Sequence, residues 1–249
     1  MTNRLRFDFA GTSALVTGGT SGIGHAIASA FAAAGAAVTV TGTRAAASDY
    51  ECDLAAFAYR RLEMRDAGAI DALAAELGTL DVLVNNAGAT FPDGRNEWEP
   101  DAFSAALALN VEGAMRLTVR ARAALAASTM AGGASVVNLV SMTAFRATTL
   151  VPGYSAAKAA LLALTRNLAV QWAGDGIRVN AVAPGLIDTR MTAPMKKFTK
   201  MLDAELAKSV IRRMGTPQEV AAAVLFLCCD ASSFTTGSVL AVDGGTLAL

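Results

Sequence analysis

The sequence predicts an α/β fold built on one parallel sheet, and three observations carry that prediction. Short β-branched runs alternate with longer Ala- and Leu-rich stretches along the chain, the pattern of right-handed strand–helix–strand crossovers. The composition is 53% hydrophobic and only 17% charged, which excludes a disordered chain and suits strands covered on both faces. No Pro/Ser linker, charge run or internal repeat divides the 249 residues. Residues 1–249 therefore read as a single domain, long enough to bury most of its unfolded surface.

Seven strands are expected, near 12–17 (TSALVT), 37–42 (AVTVTG), 57–63 (FAYRRLE), 80–84 (LDVLV), 134–141 (ASVVNLVS), 177–183 (IRVNAVA) and 238–242 (SVLAV). Their Val, Ile and Thr content in runs of five to eight marks them. Between them, helical stretches are expected at 22–34, 67–77, 100–128, 154–174 and 217–229. In the last of these Pro217 suits the first turn, and Val220, Val224 and Leu227 recur at helical spacing. Two connections depart from the pattern. TRAAASDYECDLAA, between strands two and three, is short for a helical crossover. The segment 186–214 carries four methionines and is long enough to be a functional loop.

Charge and cysteine usage exclude several classes. Lys plus Arg is 21 and Asp plus Glu is 21, so no global basic field draws nucleic acid or an anionic membrane. Cys52, Cys228 and Cys229 are too few for a disulfide scaffold and read as reduced thiols in a cytoplasmic protein. One histidine, His25, builds neither a zinc site nor a histidine-based triad, so no metal is expected. The start MTNRLRFDFAG lacks the unbroken apolar core of a secretory leader. Residues 10–43 and 123–145 hold no Asp, Glu, Lys or Arg, yet Gly, Ser, Thr and Asn interrupt both. Neither is a good membrane span.

Chemistry is concentrated in four places. Strand one runs into Thr17-Gly18-Gly19-Thr20-Ser21-Gly22-Ile23-Gly24 and then a helix. Glycines there permit a tight turn and let the backbone approach a pyrophosphate at a helix N-terminus. The spacing is G-x-x-x-G-x-G, not G-x-G-x-x-G, so alone it also fits an ordinary turn. Tyr154 and Lys158 stand four apart and share a helix face. At ~4 Å and an effective dielectric of ~20, the ammonium would stabilise a phenolate by about 4 kcal/mol. That is roughly 3 pKa units, enough to make a workable acid/base of a phenol that otherwise titrates near ~10. Ser141 lies thirteen residues before Tyr154 at the end of an apolar strand, and Asn110 thirty-one before Ser141. Asn85-Asn86-Ala87-Gly88 after strand four and Pro184-Gly185 after strand six complete the set.

Taken together, TGxxxGIG, NNAG, Asn110, Ser141, YxxxK, PG with Thr189, and TGSVLAVDGG strongly resemble the short-chain dehydrogenase/reductase family from Thr12 to about Thr246. The resemblance implies a Rossmann-type, doubly wound, seven-stranded sheet that binds NAD(H) or NADP(H). It implies hydride transfer between nicotinamide and a carbonyl or alcohol carbon. Tyr154 would be the proton donor or acceptor, and Ser141 would hold the substrate oxygen. Lys158 would lower the Tyr154 phenol and bind ribose hydroxyls, and Asn110 would hold a water linking Lys158 to solvent. Gly18, Thr20, Ser21, Gly22, Ile23 and Gly24 would line the pyrophosphate. Thr43, Arg44, Glu63, Met64, Asn86, Ala87 and Gly88 would complete the cofactor contacts. Pro184, Gly185, Ile187 and Thr189 would fix the nicotinamide amide.

NADP(H) is the expected cofactor, with NAD(H) as the alternative. Strand two ends at Gly42-Thr43-Arg44 with no carboxylate for a ribose diol, and Arg44 could pair with a 2′-phosphate. Glu63 stands where the family usually has an adenine-contacting Asp. A small hydrophobic carbonyl or alcohol substrate is expected, from Met142, Phe145, Leu150, Met191, Met195, Phe198, Met201 and Leu202. Residues 186–214 would form its lid. Asp175 speaks against 3-oxoacyl-carrier-protein reduction, while Arg120, Arg122 and Arg166 keep it open. A nicotinamide-binding sensor without turnover is the reading from another class. Relatives that reduce C=C bonds space Tyr and Lys more widely. The long, weakly charged helices 100–128 and 154–174 resemble the family's subunit contacts, so a homotetramer is expected.

Overall fold

All seven expected strands form, and every neighbouring pair runs parallel. They are β1 (Ser13–Val16), β2 (Ala37–Gly42), β3 (Ala58–Arg61), β4 (Val82–Asn85), β5 (Ala134–Leu139), β6 (Ile177–Pro184) and β7 (Val239–Val242). The computed structural model describes residues 5–249. Met1–Arg4, on which part of the leader argument draws, lie outside that range. Among the described residues no helix is long and apolar enough to cross a membrane.

The sheet order is β3-β2-β1-β4-β5-β6-β7. The chain winds outward from β1 in one direction, then starts again from β4 in the other. The crevice between β1 and β4 is therefore the topological switch point, where open α/β sheets bind ligands beyond the strand ends. Val16 and Val84 are register partners there, so the turns after the two strands leave the sheet side by side.

Alternation along each central strand feeds two cores. Val16, Val82 and Val84 pack with α1 (Gly22–Ala33) and α8 (Pro217–Cys228) on one face. Leu15, Leu83, Val136 and Val179 point the other way. They meet α2 (Ala67–Ala75), α4 (Gly113–Arg120) and the end of α6 (Pro152–Trp172).

Two helices differ from expectation in a way that matters for chemistry. The stretch 100–128 divides into α3 (Pro100–Leu107), a π-helical turn at Ala108–Glu112, α4 and α5 (Arg122–Ala126). Such a turn adds one residue to the helical ladder and re-aims its side chains; this one holds Asn110. Helix α6 starts at Pro152 rather than 154, because proline is tolerated in the first turn. Tyr154 is thus its third residue.

The β2–β3 connection is as helix-poor as expected, with a single 3₁₀ turn at Ala47–Asp49. The segment 186–214 is more ordered than a loop, since it contains a 3₁₀ turn at Ala193–Lys197 and α7 (Thr199–Leu206). Its two ends are tied together: Asp188 donates to the Gly215 carbonyl at 2.9 Å, and Gly215 to that of Leu186 at 2.9 Å.

Candidate active site

The glycine turn and the NNAG segment clamp one another at the switch point. Thr17 Oγ1 accepts from the amides of Asn86 and Ala87, both at 3.0 Å. Asn86 Nδ2 donates to the carbonyls of Thr17 at 2.9 Å and Gly18 at 3.1 Å. Gly18 and Gly22 take φ values of +65° and +54°, which side chains bear poorly. A Cβ on Gly24 would strike the Gly18 carbonyl. Ser21 stands at the N-cap of α1 without a side-chain bond of its own, so its hydroxyl and the first amides of α1 are free to meet an anion. Ile23 packs against the core. Thr189 faces this turn, with its methyl 3.4 Å from where a Gly22 Cβ would be. This cradle, which added side chains would fill, fits a dinucleotide.

Pro184 ends β6, and a Cβ on Gly185 would lie 2.7 Å from Asp243 Cα, so the loop after β6 packs on the C-terminal loop. The Ile187 carbonyl accepts from Thr192 Oγ1 at 2.6 Å, and Thr192 Oγ1 lies 3.4 Å from Thr189 Oγ1. Thr192, absent from the expected set, thus orients the Ile187–Thr189 edge.

The end of β2 holds a residue that sequence reasoning missed. A Cβ on Gly42 would land on the Tyr50 hydroxyl and 2.8 Å from the Thr20 methyl. The shortened β2–β3 connection thus delivers a phenol to the place of the missing acidic side chain. The Arg44 amide donates to that phenol at 2.8 Å, and the Tyr59 hydroxyl donates to the Arg44 carbonyl at 2.6 Å. The Arg44 guanidinium lies 4.9 Å from the Tyr50 ring centre and donates to the Asp49 carbonyl. Arg61 stands opposite Gly42 in the parallel register. Among the described residues, neither arginine has a carboxylate within 4.0 Å. Glu63 turns to Arg65, accepting from its amide at 3.2 Å. The Met64 side chain is buried in the core, so only its backbone can reach a ligand.

Near the ends of β4 and β5 the expected polar residues come together. Ser141 lies two residues beyond β5, at the start of a 3₁₀ turn, and accepts from the Thr143 amide at 3.1 Å. Lys158 Nζ is buried, 5.4 Å from the Tyr154 ring centre, and donates to the Leu139 carbonyl at 2.8 Å. Gly88 leaves room for both Lys158 and Asn110, since a Cβ there would clash with Asn110 Oδ1 and lie 3.4 Å from Nζ. Asn110 holds the Ala89 peptide in both directions, accepting from its amide at 3.1 Å and donating to its carbonyl at 2.9 Å.

The expected lowering of the Tyr154 phenol by Lys158 is not met. Burial pushes Tyr154 up to about 12, with the Ser141 hydroxyl pulling down and the Glu97 carboxylate pushing further up. Burial also brings Lys158 down to about 8. The ammonium lies over the ring rather than at the phenol oxygen, and its hydrogen bond goes to a carbonyl. Glu97, also missed from the sequence, is fully buried: its two oxygens accept from the amides of Phe91 at 2.7 Å and Tyr154 at 2.8 Å.

Beside Met142 a cavity of about 310 Å³ lies between the loop after β6, α7 and the C-terminal loop. Leu186, Leu206 and Ile211 give it apolar walls, and Glu205 and Ser209 polar ones. Of the eight expected apolar substrate contacts only Met142 lines it. Phe145, Leu150, Met191, Phe198 and Met201 are instead exposed. His25 is a packing residue, bonded to the Asp53 carbonyl and edge-on to Phe57.

Comparison with known proteins agrees with this arrangement. A family model described as Enoyl-(Acyl carrier protein) reductase matches residues 18–246. Galactitol 2-dehydrogenase (L-tagatose-forming) of Cereibacter sphaeroides is 39% identical, over 98% of both chains. Cis-4-hydroxycyclohexanecarboxylate dehydrogenase of Sinomonas cyclohexanicum is 38% identical, over 97% of this chain and 98% of its own. The Pseudomonas aeruginosa RhlG/NADP active-site complex superposes with a TM-score of 0.83 at 32% identity, covering 96% of this chain and 98% of that one. The glycine cradle at the switch point, the Tyr154–Lys158 pair beside it and these full-length matches place the chain in the short-chain dehydrogenase/reductase family.

Proposed function

We propose that this chain is an NADP(H)-preferring oxidoreductase that interconverts a small, largely apolar secondary alcohol and its carbonyl compound. The observation that carries the reading is the convergence of Ser141, Tyr154, Lys158 and Asn110 beside the glycine cradle. The nicotinamide, when bound, supplies or takes the hydride. The whole chain acts as one NAD(P)-binding domain with 186–214 as its substrate lid.

The chain's own residues handle position and protons. In reduction, Tyr154 Oη gives its proton to the oxygen of the reacting carbon, and in oxidation it takes that proton back. A phenol held near 12 by burial is protonated at neutral pH, the state a proton donor needs. Ser141 Oγ donates to the same oxygen and fixes its place. Lys158 offers its ammonium to ribose hydroxyls. Asn110 holds the Ala89 peptide and orders a water that carries protons away from Lys158. Gly18, Thr20, Ser21, Gly22, Ile23 and Gly24 hold the pyrophosphate, with Asn86, Ala87 and Gly88 around the ribose. Pro184, Gly185, Ile187 and Thr189 hold the nicotinamide amide. Glu63, with the Met64 backbone, borders the adenine.

NADP(H) preference is supported by what surrounds Gly42. The end of β2 itself carries no carboxylate, while Thr43, Arg44 and Arg61 supply donors and positive charge. The Arg44 side chain must swing off the Tyr50 ring to engage. Arg44→Ala is expected to weaken NADPH binding by about 1.5–3 kcal/mol, the range for hydrogen bonds to charged groups. NADH binding should barely change. Fluorescence titration with each nucleotide measures both, and equal losses would remove the 2′-phosphate role.

Substrate chemistry is tested with a panel of cyclohexanol, cis-4-hydroxycyclohexanecarboxylate, galactitol, apolar ketones and 3-oxoacyl thioesters, each with both cofactors. Faster turnover of the apolar alcohols and ketones is expected. Acyl-carrier substrates are disfavoured because Arg120 and Arg122 are held by Asp71 and Asp175 at 3.0 and 2.7 Å. A thioester at the top of the ranking would overturn that reading. The exposed Met115, Val119 and Val170 on α4 and α6, with Phe226, Phe234 and Leu240 near β7, support a homotetramer.

A further inference from the structure

We infer that Glu97 is a positioning residue for the reaction: its buried carboxylate fastens the loop after Gly88 to the Tyr154 amide, so that this loop and the proton-transferring helix end are held as one unit. The inference rests on the reading of Tyr154 as the acid/base.

The local sequence explains why such a tether is needed. Helix α6 has Val151 at its N-cap, which has no oxygen to offer, and Pro152 at its first position, which has no N–H. The first-turn amides therefore lack the cap that Ser, Thr, Asp or Asn would normally supply. Glu97 supplies it from fifty-seven residues away, accepting from Tyr154 N at 2.8 Å. A carboxylate is the favoured charge at a helix N-terminus. Gly153 permits the approach, since a Cβ there would lie 3.3 Å from Glu97 Oε2 and 2.8 Å from the Ala106 methyl.

The other oxygen works on the loop. Phe91 takes a φ of +48°, a conformation that costs a bulky residue free energy unless its surroundings hold it. Its amide donates to Glu97 Oε1 at 2.7 Å. The neighbouring Trp98 adds a second clasp, donating from Nε1 to the Thr149 carbonyl at 2.8 Å, just ahead of α6. Both Glu97 oxygens accept from backbone amides and the side chain is fully buried, so each bond is charge-assisted and screened from water.

The charge has a consequence of its own. The polar and charged groups around Tyr154 are Ser141 from beyond β5 at its phenol, Lys158 of its own helix over its ring, and Glu97 from the loop before α3 at its amide. Glu97 opposes ionisation of the phenol, so it helps keep the proton on Tyr154.

Glu97→Gln keeps the shape and removes the charge; Glu97→Asp keeps the charge and shortens the reach. With the fastest alcohol of the panel above, Glu97→Gln should lower kcat about tenfold and leave the cofactor Kd within about threefold, one hydrogen bond being lost. The midpoint of the pH profile for alcohol oxidation should move down by about half a unit, as expected for a removed carboxylate at intermediate dielectric. Glu97→Asp should lower kcat with the midpoint unmoved. Hydrogen exchange at the Phe91 and Tyr154 amides should accelerate together in both variants, a readout that needs no turnover. A Glu97→Gln protein with wild-type kcat, midpoint and exchange overturns the inference, as does one in which only thermal stability changes. If Glu97→Gln does not fold, wild-type kcat in Glu97→Asp overturns it equally. Tyr154→Phe is run alongside: turnover retained there sinks the acid/base reading, whereas turnover lost there with Glu97→Gln unaltered sinks the tether alone.

Discussion

Tyr154→Phe is expected to lower turnover about 10³-fold, the mid-range for a lost general acid/base, while NADPH binds within about threefold of wild type. The substitution removes one oxygen from a half-buried ring and leaves the fold's packing in place. Burial holds the phenol near 12, so in wild type its proton is present throughout the neutral range. Reduction should therefore keep its kcat/KM between pH 6 and 8 as far as this group is concerned. Oxidation, which needs the phenolate, should gain with rising pH. In the variant both directions lose the proton relay at Oη, and no pH restores it. The check is single-turnover kinetics with saturating cofactor, paired with a fluorescence measurement of cofactor Kd. Turnover within tenfold of wild type would remove Tyr154 from the chemistry.

Arg178→Met is expected to destabilise the fold by about 3–5 kcal/mol without changing kinetic constants. Arg178 is buried near the start of β6, at the opposite end of the strand from the site. Its guanidinium donates to the carbonyls of Gly132 at 2.9 Å, Leu227 at 2.8 Å, Ser232 at 3.1 Å and Thr235 at 3.3 Å. These acceptors come from the end of α8 and the turns beside it, where helix carbonyls have no intrahelical partner. Methionine fills much of the volume but satisfies none of them. Of these, the Gly132 carbonyl is left without a partner among the described residues, at about 1–3 kcal/mol; those of Leu227, Ser232 and Thr235 keep Ser135 Oγ, the Thr235 amide and Asn180 Nδ2 but each lose a bond to a charged donor. At about 2–4 °C per kcal/mol for a chain of this size, the Tm should fall by about 10 °C. Calorimetry measures it directly. A loss below about 1 kcal/mol would show that solvent takes over the role of the guanidinium.

The parts of this protein legible in its sequence are those governed by short-range chemistry. Alternation along β1 and β4, helical spacing in α8 and the glycine turn after β1 each depend on residues a few positions apart. So does the pairing of Tyr154 with Lys158 on one helix face. The parts not legible depend on which distant segments meet. Nothing local to Asn96-Glu97-Trp98 says that Glu97 caps α6, because the amide it serves belongs to a helix 57 residues on. Tyr50 reads as a loop residue until the shortened crossover sets its hydroxyl against Gly42. Lys158 lies on the expected face, yet its hydrogen bond goes to the end of β5. The strength of its pull on Tyr154 was a question of burial, not spacing. Backbone geometry and side-chain periodicity are properties of neighbouring residues, so the chain alone determines fold class, family and the identity of the polar residues. Desolvation and long-range hydrogen bonds exist only once segments close in space, and they set the protonation of the site and the partners that hold it.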